Sequence, residues 1–262
     1  MDPDYLLLEQ NPYYADILDI LTKTQQAQHH LTYVKGLPFA VLPAVFSPQC
    51  FPSNNMFAEC LEYVENGNFL EVGCGAGFAS VIAAAQHNMH VTSIDISKQA
   101  LHNTRVNAVL HRVEEKVEVF ESDVYENITP TRRFDVIYCN LPFLYADQMP
   151  RATGCDTLQS AVVHVGYDGI RRCILQAPRY LTEDGSLFLG FSRDMGDVGR
   201  LDAIIEQSDL SAEVWRSAHG SRTRLPFTLD LIKLQKRLKT QDTFSIADAL
   251  WKPNKTNRKD CH

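Results

Sequence analysis

The residues whose types and spacing could do chemistry lie between positions 71 and 143. Glu71, Gly73, Gly75 and Gly77 alternate through the run Leu-Glu-Val-Gly-Cys-Gly-Ala-Gly. Glycines so placed bare backbone N–H groups that a ligand can approach with no Cβ atom in the way. Asp95, next to Ile96, follows 20 residues after Gly75, about where an α/β nucleotide site places its ribose-binding carboxylate. A carboxylate can accept from two neighbouring hydroxyls at once. Asp123 and Val124 close a later apolar run, and Asn140-Leu141-Pro142-Phe143 groups a side-chain amide, a proline-stiffened carbonyl and an aromatic ring. Each feature also has a plain structural reading: a tight turn before a packed helix, acids at solvated strand ends or helix caps, and a strand ended by proline.

These residues need a frame of alternating strands and helices. Asn68 to Val72 has strand chemistry, and Phe78-Ala-Ser-Val-Ile-Ala-Ala-Ala-Gln86 reads as a buried helix. His90 to Asp95, Lys116 to Asp123 and Phe134 to Asn140 read as further strands, with a helix at about 98–110. A substrate-side loop is expected at 146–165, then a helix to about 181, a strand at 185–192, a helix at 198–208 and strands at 212–218 and 228–234. The fold class that follows is α/β: a doubly wound, seven-stranded, mostly parallel sheet whose last strand is antiparallel. Residues 1–35 read as a helical extension or lid outside the core, since Asp2-Pro3 and Asn11-Pro12 are helix-start pairs and Ile17, Leu18 and Leu21 form a stripe. The catalytic domain is expected at 36–238, with another helix at 56–64 and a flexible tail at 239–262.

Composition narrows the class. The chain has 262 residues, of which 45 % are apolar and 22 % charged, as in a globular domain with a substantial core. No apolar run reaches the roughly 20 residues of a membrane span, and Met-Asp-Pro-Asp lacks a basic leader; a cytoplasmic location is expected. The seven cysteines include no Cys-x-x-Cys pair and the nine histidines no ligand-like spacing, so no metal is expected. A net charge of −7 argues against a general nucleic-acid surface. The basic run at Lys233, Lys236, Arg237 and Lys239, continued at Lys252, Lys255, Arg258 and Lys259, reads as a solvated strand end and tail.

Glu71-x-Gly73-x-Gly75-x-Gly77 resembles the nucleoside-binding motif of class I S-adenosylmethionine (SAM) methyltransferases. The dinucleotide pattern Gly-x-Gly-x-x-Gly fails, because its last position is Phe78. Leu42-Pro43-Ala44-Val45-Phe46-Ser47 stands where the "methyltransferase small" group has a Leu-Pro-Gly-Val-Phe-Ser-like entry. That group includes rRNA guanine methyltransferases and, more distantly, release-factor and ribosomal-protein glutamine methyltransferases. Asn140-Leu-Pro-Phe143 resembles the Asn-Pro-Pro-Tyr/Phe of SAM enzymes that methylate planar nitrogens, with Leu141 for the first proline as in the Asn-Leu-Pro-Tyr of rRNA dimethyladenosine enzymes. Gly166-Tyr-Asp-Gly resembles a helix entry of the glutamine enzymes.

The resemblance implies SAM as cofactor. Gly73, Gly75 and Gly77 would admit its methionine end with Glu71 at the loop mouth, Asp95 and Ile96 its ribose side, and Asp123 with the Val124 N–H its adenine edge. Asn140, also expected among the cofactor-binding residues, and the Leu141 carbonyl would orient the nucleophilic nitrogen, Pro142 would stiffen that carbonyl, and Phe143 would line the acceptor site. Tyr13, Tyr14 and Tyr167 are candidate pocket residues, although Tyr13 and Tyr14 read more readily as packing aromatics. The leading reading is a SAM-dependent transferase acting on a nitrogen of a small molecule or protein. Three alternatives stay open: a SAM cyclase of the azetidine-2-carboxylate synthase type that releases methylthioadenosine, an rRNA N-methyltransferase, and a non-catalytic SAM binder. Neither the acceptor nor the oligomeric state is legible here.

Overall fold

The computed structural model describes residues 11–26, 29–47, 61, 66–146, 163–220 and 225–237. Among them a seven-stranded sheet organises the chain. Its strands are β3 (Asn68–Val72), β4 (His90–Asp95), β5 (Val117–Glu121), β6 (Phe134–Cys139), β9 (Leu181–Phe191), β10 (Leu210–Gly220) and β11 (Phe227–Lys236), in the spatial order β10-β11-β9-β6-β3-β4-β5. β5, β4, β3, β6 and β9 run parallel, while β11 is antiparallel to both its neighbours. This is the expected doubly wound sheet, with the order reversing between β3 and β6.

Alternation along the strands divides the core into two faces. Phe69, Val136, Tyr138, Phe188, Leu229 and Leu231 face one cluster, shared with α1 (Tyr14–Gln26), α2 (Phe78–Gln86) and α3 (Lys98–Leu110). Leu70, Val72, Ile137, Cys139, Leu187, Leu189 and Ile232 face the other, shared with α4 (Asp168–Tyr180) and α5 (Val198–Glu206). Two short strands, β7 (Leu144–Ala146) and β8 (Val163–Val165), pair in parallel and so close the two ends of the segment expected to be loop. Its middle, 147–162, lies outside the described residues, as do the expected tail 239–262 and, apart from the buried Leu61, the helix expected at 56–64. Among the described residues no helix is long and apolar enough to cross a membrane.

The N-terminal stretch corrects the sequence reading. Asn11 does start a helix: its side chain accepts from Tyr13 N at 3.0 Å, its carbonyl from Tyr14 N at 3.0 Å, and α1 follows. But residues 30–34 are not helical. β1 (His30–Val34) pairs antiparallel with β2 (Leu37–Val41), and Val34 faces Leu37 across a two-residue turn. Lys35 and Gly36 both have positive φ, 48° and 77°, as a type I′ hairpin turn requires. A boundary at 35/36 falls between these two turn residues. Nor is the described part outside the core: Tyr13, Tyr14, Ile17 and Val34 are buried in the first cluster.

Ala44 carries a strain with a sequence origin. Val45 N bonds Leu42 O at 3.2 Å, with Pro43 and Ala44 between them, and Ala44 has φ 63°. A Pro-x turn with positive φ at its second central residue favours glycine there, and glycine is what the resembling entry segment carries. Left-handed alanine costs about 1–2 kcal/mol, partly offset by the greater unfolded-chain entropy of glycine. Ala44→Gly is therefore expected to stabilise the protein by about 1 kcal/mol, read as an increased urea midpoint at unchanged slope. A decreased midpoint would refute this account of the turn.

Candidate active site

Register brings the chemistry together. Val72 of β3 lies opposite Cys139 of β6 on one side and Ile94 of β4 on the other, so Gly73 emerges between Asn140 and Asp95. Asp95 in turn faces Glu121 of β5, which places Asp123 just beyond the next strand end. All of them stand at the carboxyl edge of the parallel strands, beside the point where strand order reverses, the place where open α/β sheets bind ligands.

The glycine loop is built by its neighbours. Gly73, Gly75 and Gly77 have φ 75°, 53° and 75°, a region closed to most side chains. Gly73 N and Cys74 N both donate to Ile94 O, at 2.9 and 3.0 Å. Asp95 anchors the loop from below: one carboxylate oxygen accepts from Gly75 N at 3.0 Å and the other from Ser97 N at 2.8 Å. Burial raises the Asp95 pKa against the lowering effect of those bonds. From α3, Thr104 Oγ1 donates to Gly75 O at 3.1 Å, and Asn107 Nδ2 to Ala76 O at 2.8 Å.

Asn103 and Asn107 also serve the hairpin. Asn107 Oδ1 accepts from Ala40 N at 2.8 Å, Asn103 Oδ1 from Leu42 N at 2.9 Å, and both side chains donate to Ala40 O at 2.8 Å. Two fully buried asparagines one helical turn apart thus stand in for a missing strand and latch β2 to the glycine loop. Sequence reasoning missed them, together with Thr104. Their signal was polar residues at 103, 104 and 107 on one side of a helix whose other turns bury alanine and leucine.

Glu71 is not at the loop mouth. Only 4 % of its surface is exposed. It sits behind the loop, where its carboxyl accepts from Ser80 N at 2.9 Å and from Ser80 Oγ, and that hydroxyl lies 2.6 Å from Ser93 Oγ. It therefore satisfies first-turn N–H groups of α2 from the preceding strand, as a capping acid does. Burial pushes its pKa from 4.5 up to about 8, against the lowering effect of the Ser80 bonds.

The other candidates divide. Ile96 is 66 % exposed beside Asp95 and offers an apolar wall. Val124 is a β-branched residue at φ 51°, strain that persists only where the surroundings impose it. Asp123 does not stand alone, because both its oxygens accept from Arg172 Nη2, at 2.8 and 2.9 Å. Asn140 is exposed, and among the described residues its side chain makes no hydrogen bond. Leu141 packs over the glycine loop: a Cβ added to Gly73 would lie 3.0 Å from its Cδ2. Pro142 and Phe143 are half-buried, and the Phe143 ring meets Phe191 edge-on at 6.0 Å.

The three tyrosines are not surface pocket residues. Tyr13 and Tyr14 are 7 % and 6 % exposed, and Tyr13 OH donates to Pro226 O at 2.8 Å. Both bury area between α1 and the sheet. Tyr167 is fully buried; its hydroxyl donates to Phe143 O and accepts from Asp197 N at 2.7 Å. It acts on the Asn140–Phe143 segment from behind.

The loop fits a nucleoside-type cofactor. A Cβ on Gly75 would meet nothing within 4 Å, so the backbone there faces open space, whereas a Cβ on Gly77 would lie 2.7 Å from Thr104 Cγ2. The two glycines are therefore needed for different reasons. Gly77→Ala is expected to cost folding about 3 kcal/mol through overpacking and strain. Gly75→Ala is expected to cost folding about 1 kcal/mol but to weaken SAM binding about tenfold or more. Denaturant titration and calorimetric SAM binding on both variants check this; equal effects on SAM affinity per unit of lost stability would contradict it.

Described positions of the basic run are tied to the sheet edge. Lys233 lies 4.6 Å from the Trp215 ring centre, Lys236 bonds Leu181 O at 3.4 Å, and Arg237 bonds Leu210 O at 3.0 Å.

A Rossmann-like sheet with this strand order and a glycine loop at its switch point is the architecture that class I SAM-dependent methyltransferases share. The sequence model of the family described as "Methyltransferase small domain" matches residues 36–215, more than half of the chain, and the chain belongs to that family. It is 29 % identical over 155 residues to a Methanocaldococcus jannaschii protein provisionally named a protein N5-glutamine methyltransferase, which covers 58 % of this chain and 74 % of that one. It is 32 % identical over 174 residues to ribosomal RNA small subunit methyltransferase C of an Escherichia coli O7:K1 strain, covering 64 % of this chain. There it spans 48 % of the relative's length, so about half of that enzyme has no counterpart in the match. Among solved structures, the Thermus thermophilus 16S rRNA N2 G1207 methyltransferase, in complex with AdoMet and guanosine, superposes with a TM-score of 0.56 at 19 % identity, over 80 % of this chain and 50 % of that one. That likeness shows the fold. The expected cofactor, SAM, and the expected class, a transferase, both stand with the family.

Proposed function

We propose that this protein transfers the methyl group of SAM to a planar nitrogen, with an amide of a protein or small molecule as the acceptor, so that S-adenosylhomocysteine is released and the nitrogen gives up one N–H proton to water. The observation that carries the reading is Asn140: an exposed amide with no hydrogen bond among the described residues, placed by the β3–β6 register beside the glycine loop. When bound, SAM supplies an electrophilic methyl group on a sulfonium centre. The chain's own part is orientation. Asn140 Oδ1 and the Leu141 carbonyl each accept one N–H of the acceptor, which turns the nitrogen lone pair out of conjugation and toward the methyl group. Pro142 limits movement of that carbonyl, and the Phe143 ring covers the planar group. Tyr167 holds the Phe143 carbonyl from behind.

The net charge of −7 and the glutamine methyltransferase relative support an amide over RNA. Methyltransferase names among the relatives support transfer over cyclisation. The test is incubation with methyl-tritiated SAM and, separately, total ribosomal protein, small primary amides, ribosomal RNA, or no acceptor. Label in the protein or amide fraction is the expected result. Label confined to RNA would overturn the acceptor class, and methylthioadenosine accumulating without acceptor would overturn methyl transfer itself.

A further inference from the structure

Asp123 is met by one helix. Arg172 of α4 donates from Nη2 to both Asp123 oxygens, from Nε to Asp168 at 2.7 Å, and has Nη1 3.7 Å from Glu126. The same helix packs against the rest of the turn after β5. The rings of Tyr125 and Tyr180 stack at 4.5 Å, and Tyr125 OH donates to Cys173 O at 3.1 Å. At its start, Tyr167 holds the Phe143 carbonyl. One helix therefore touches both the strand end after β5 and the segment after β6.

We propose that Arg172 is a positioning residue for the nucleoside end of the site, holding Asp123 so that its outward lone pairs meet the exocyclic amino group of the cofactor's adenine. The inference rests on the SAM-dependent reading above and on the adenine-edge role that the family resemblance implies for Asp123. The geometry gives two reasons. A carboxylate that accepts at both oxygens from one guanidinium nitrogen is held at a fixed distance and direction from α4, yet each oxygen keeps a second acceptor position. Asp123 keeps 46 % of its side chain exposed. In addition, one cation faces the carboxylates of Asp123, Asp168 and Glu126. The guanidinium is thereby tied to α4 and to the turn after β5 at once, and so fixes Asp123 between them.

The test compares S-adenosylhomocysteine with S-inosylhomocysteine, whose purine has a carbonyl in place of the amino group, by calorimetry on the full chain. The wild type is expected to prefer the adenosyl compound about tenfold, the value of one charge-assisted hydrogen bond. Arg172→Ala is expected to reduce that preference to within about threefold, with Arg172→Lys between the two. Arg171→Ala, which removes the same charge from the exposed neighbouring position, keeps the preference. If Arg172→Ala and Arg172→Lys weaken both compounds alike, or neither, the positioning role is overturned. Asp123→Asn separates this from failure of the underlying reading. If Asp123→Asn keeps the preference, Asp123 does not read the adenine and both fall; if it loses the preference while Arg172→Ala keeps it, only the role of Arg172 falls.

Discussion

Asn140→Ala is expected to lower methyl transfer about 100-fold or more while leaving SAM affinity within about threefold. The size follows from what the side chain does in the proposed reaction. A planar nitrogen shares its lone pair with its neighbouring π-system, and only acceptors that hold both its N–H bonds can turn that pair toward an electrophile. Losing one acceptor leaves the nitrogen free to rotate, and misplacement of that order costs about 100-fold in rate. The folding cost is small, because an exposed side chain without a hydrogen bond among the described residues has little to lose. In the proposed reading SAM is held by the loop at 73–77 and the acids at 95 and 123, and among the described residues none of these hydrogen-bonds the Asn140 side chain. Initial rates with the acceptor identified by labelling, set beside calorimetric SAM binding, give both numbers. Turnover within threefold of wild type would show that Asn140 does not orient the nucleophile.

The sheet was legible in the sequence because each parallel strand is a short apolar run that ends in punctuation: Gly73 after β3, Asp95 at the end of β4, Pro142 soon after β6. What sequence missed lies where tertiary contacts decide. Leu31 and Tyr33 alternate with the buried Thr32 and Val34 around a Lys35-Gly36 turn, a period of two that five residues barely reveal beside a helical stretch. The role of Glu71 was misread for a related reason. Its position in the motif is a matter of spacing, but whether the carboxyl faces the ligand or the start of α2 depends on Ser80, nine residues on, and on Ser93 in the next strand. Tyr167 likewise looked like a lone pocket aromatic because its partners, Phe143 and Asp197, are 24 and 30 residues away in the chain. Arg172 showed only an i,i+4 pairing with Asp168, since its tie to Asp123 spans 49 residues of chain.

Glu71 should make folding stability depend on pH in the direction opposite to an ion-paired carboxylate. Its pKa rises from 4.5 to about 8 in the folded protein, chiefly through burial. Between those two values the folded state holds a proton that the unfolded state has released, so stability falls as pH rises. The contribution is complete below about pH 4.5, declines by about 1.4 kcal/mol per pH unit, and is gone above about pH 8, a total on the order of 5 kcal/mol. Asp95, raised by burial as well, adds to the slope at its acidic end. Glu71→Gln removes the titration while keeping an oxygen for the two Ser80 donors, although its amide NH₂ then approaches the Ala79 N–H that the carboxylate accepts. The variant can therefore be less stable at every pH, and the slope is the quantity to compare. Urea unfolding at pH 5.0, 6.5 and 8.5 is expected to show wild-type stability declining steeply and the variant nearly flat. Parallel curves would mean that the carboxyl is ionised throughout, with the Ser80 and Ala79 bonds outweighing its burial.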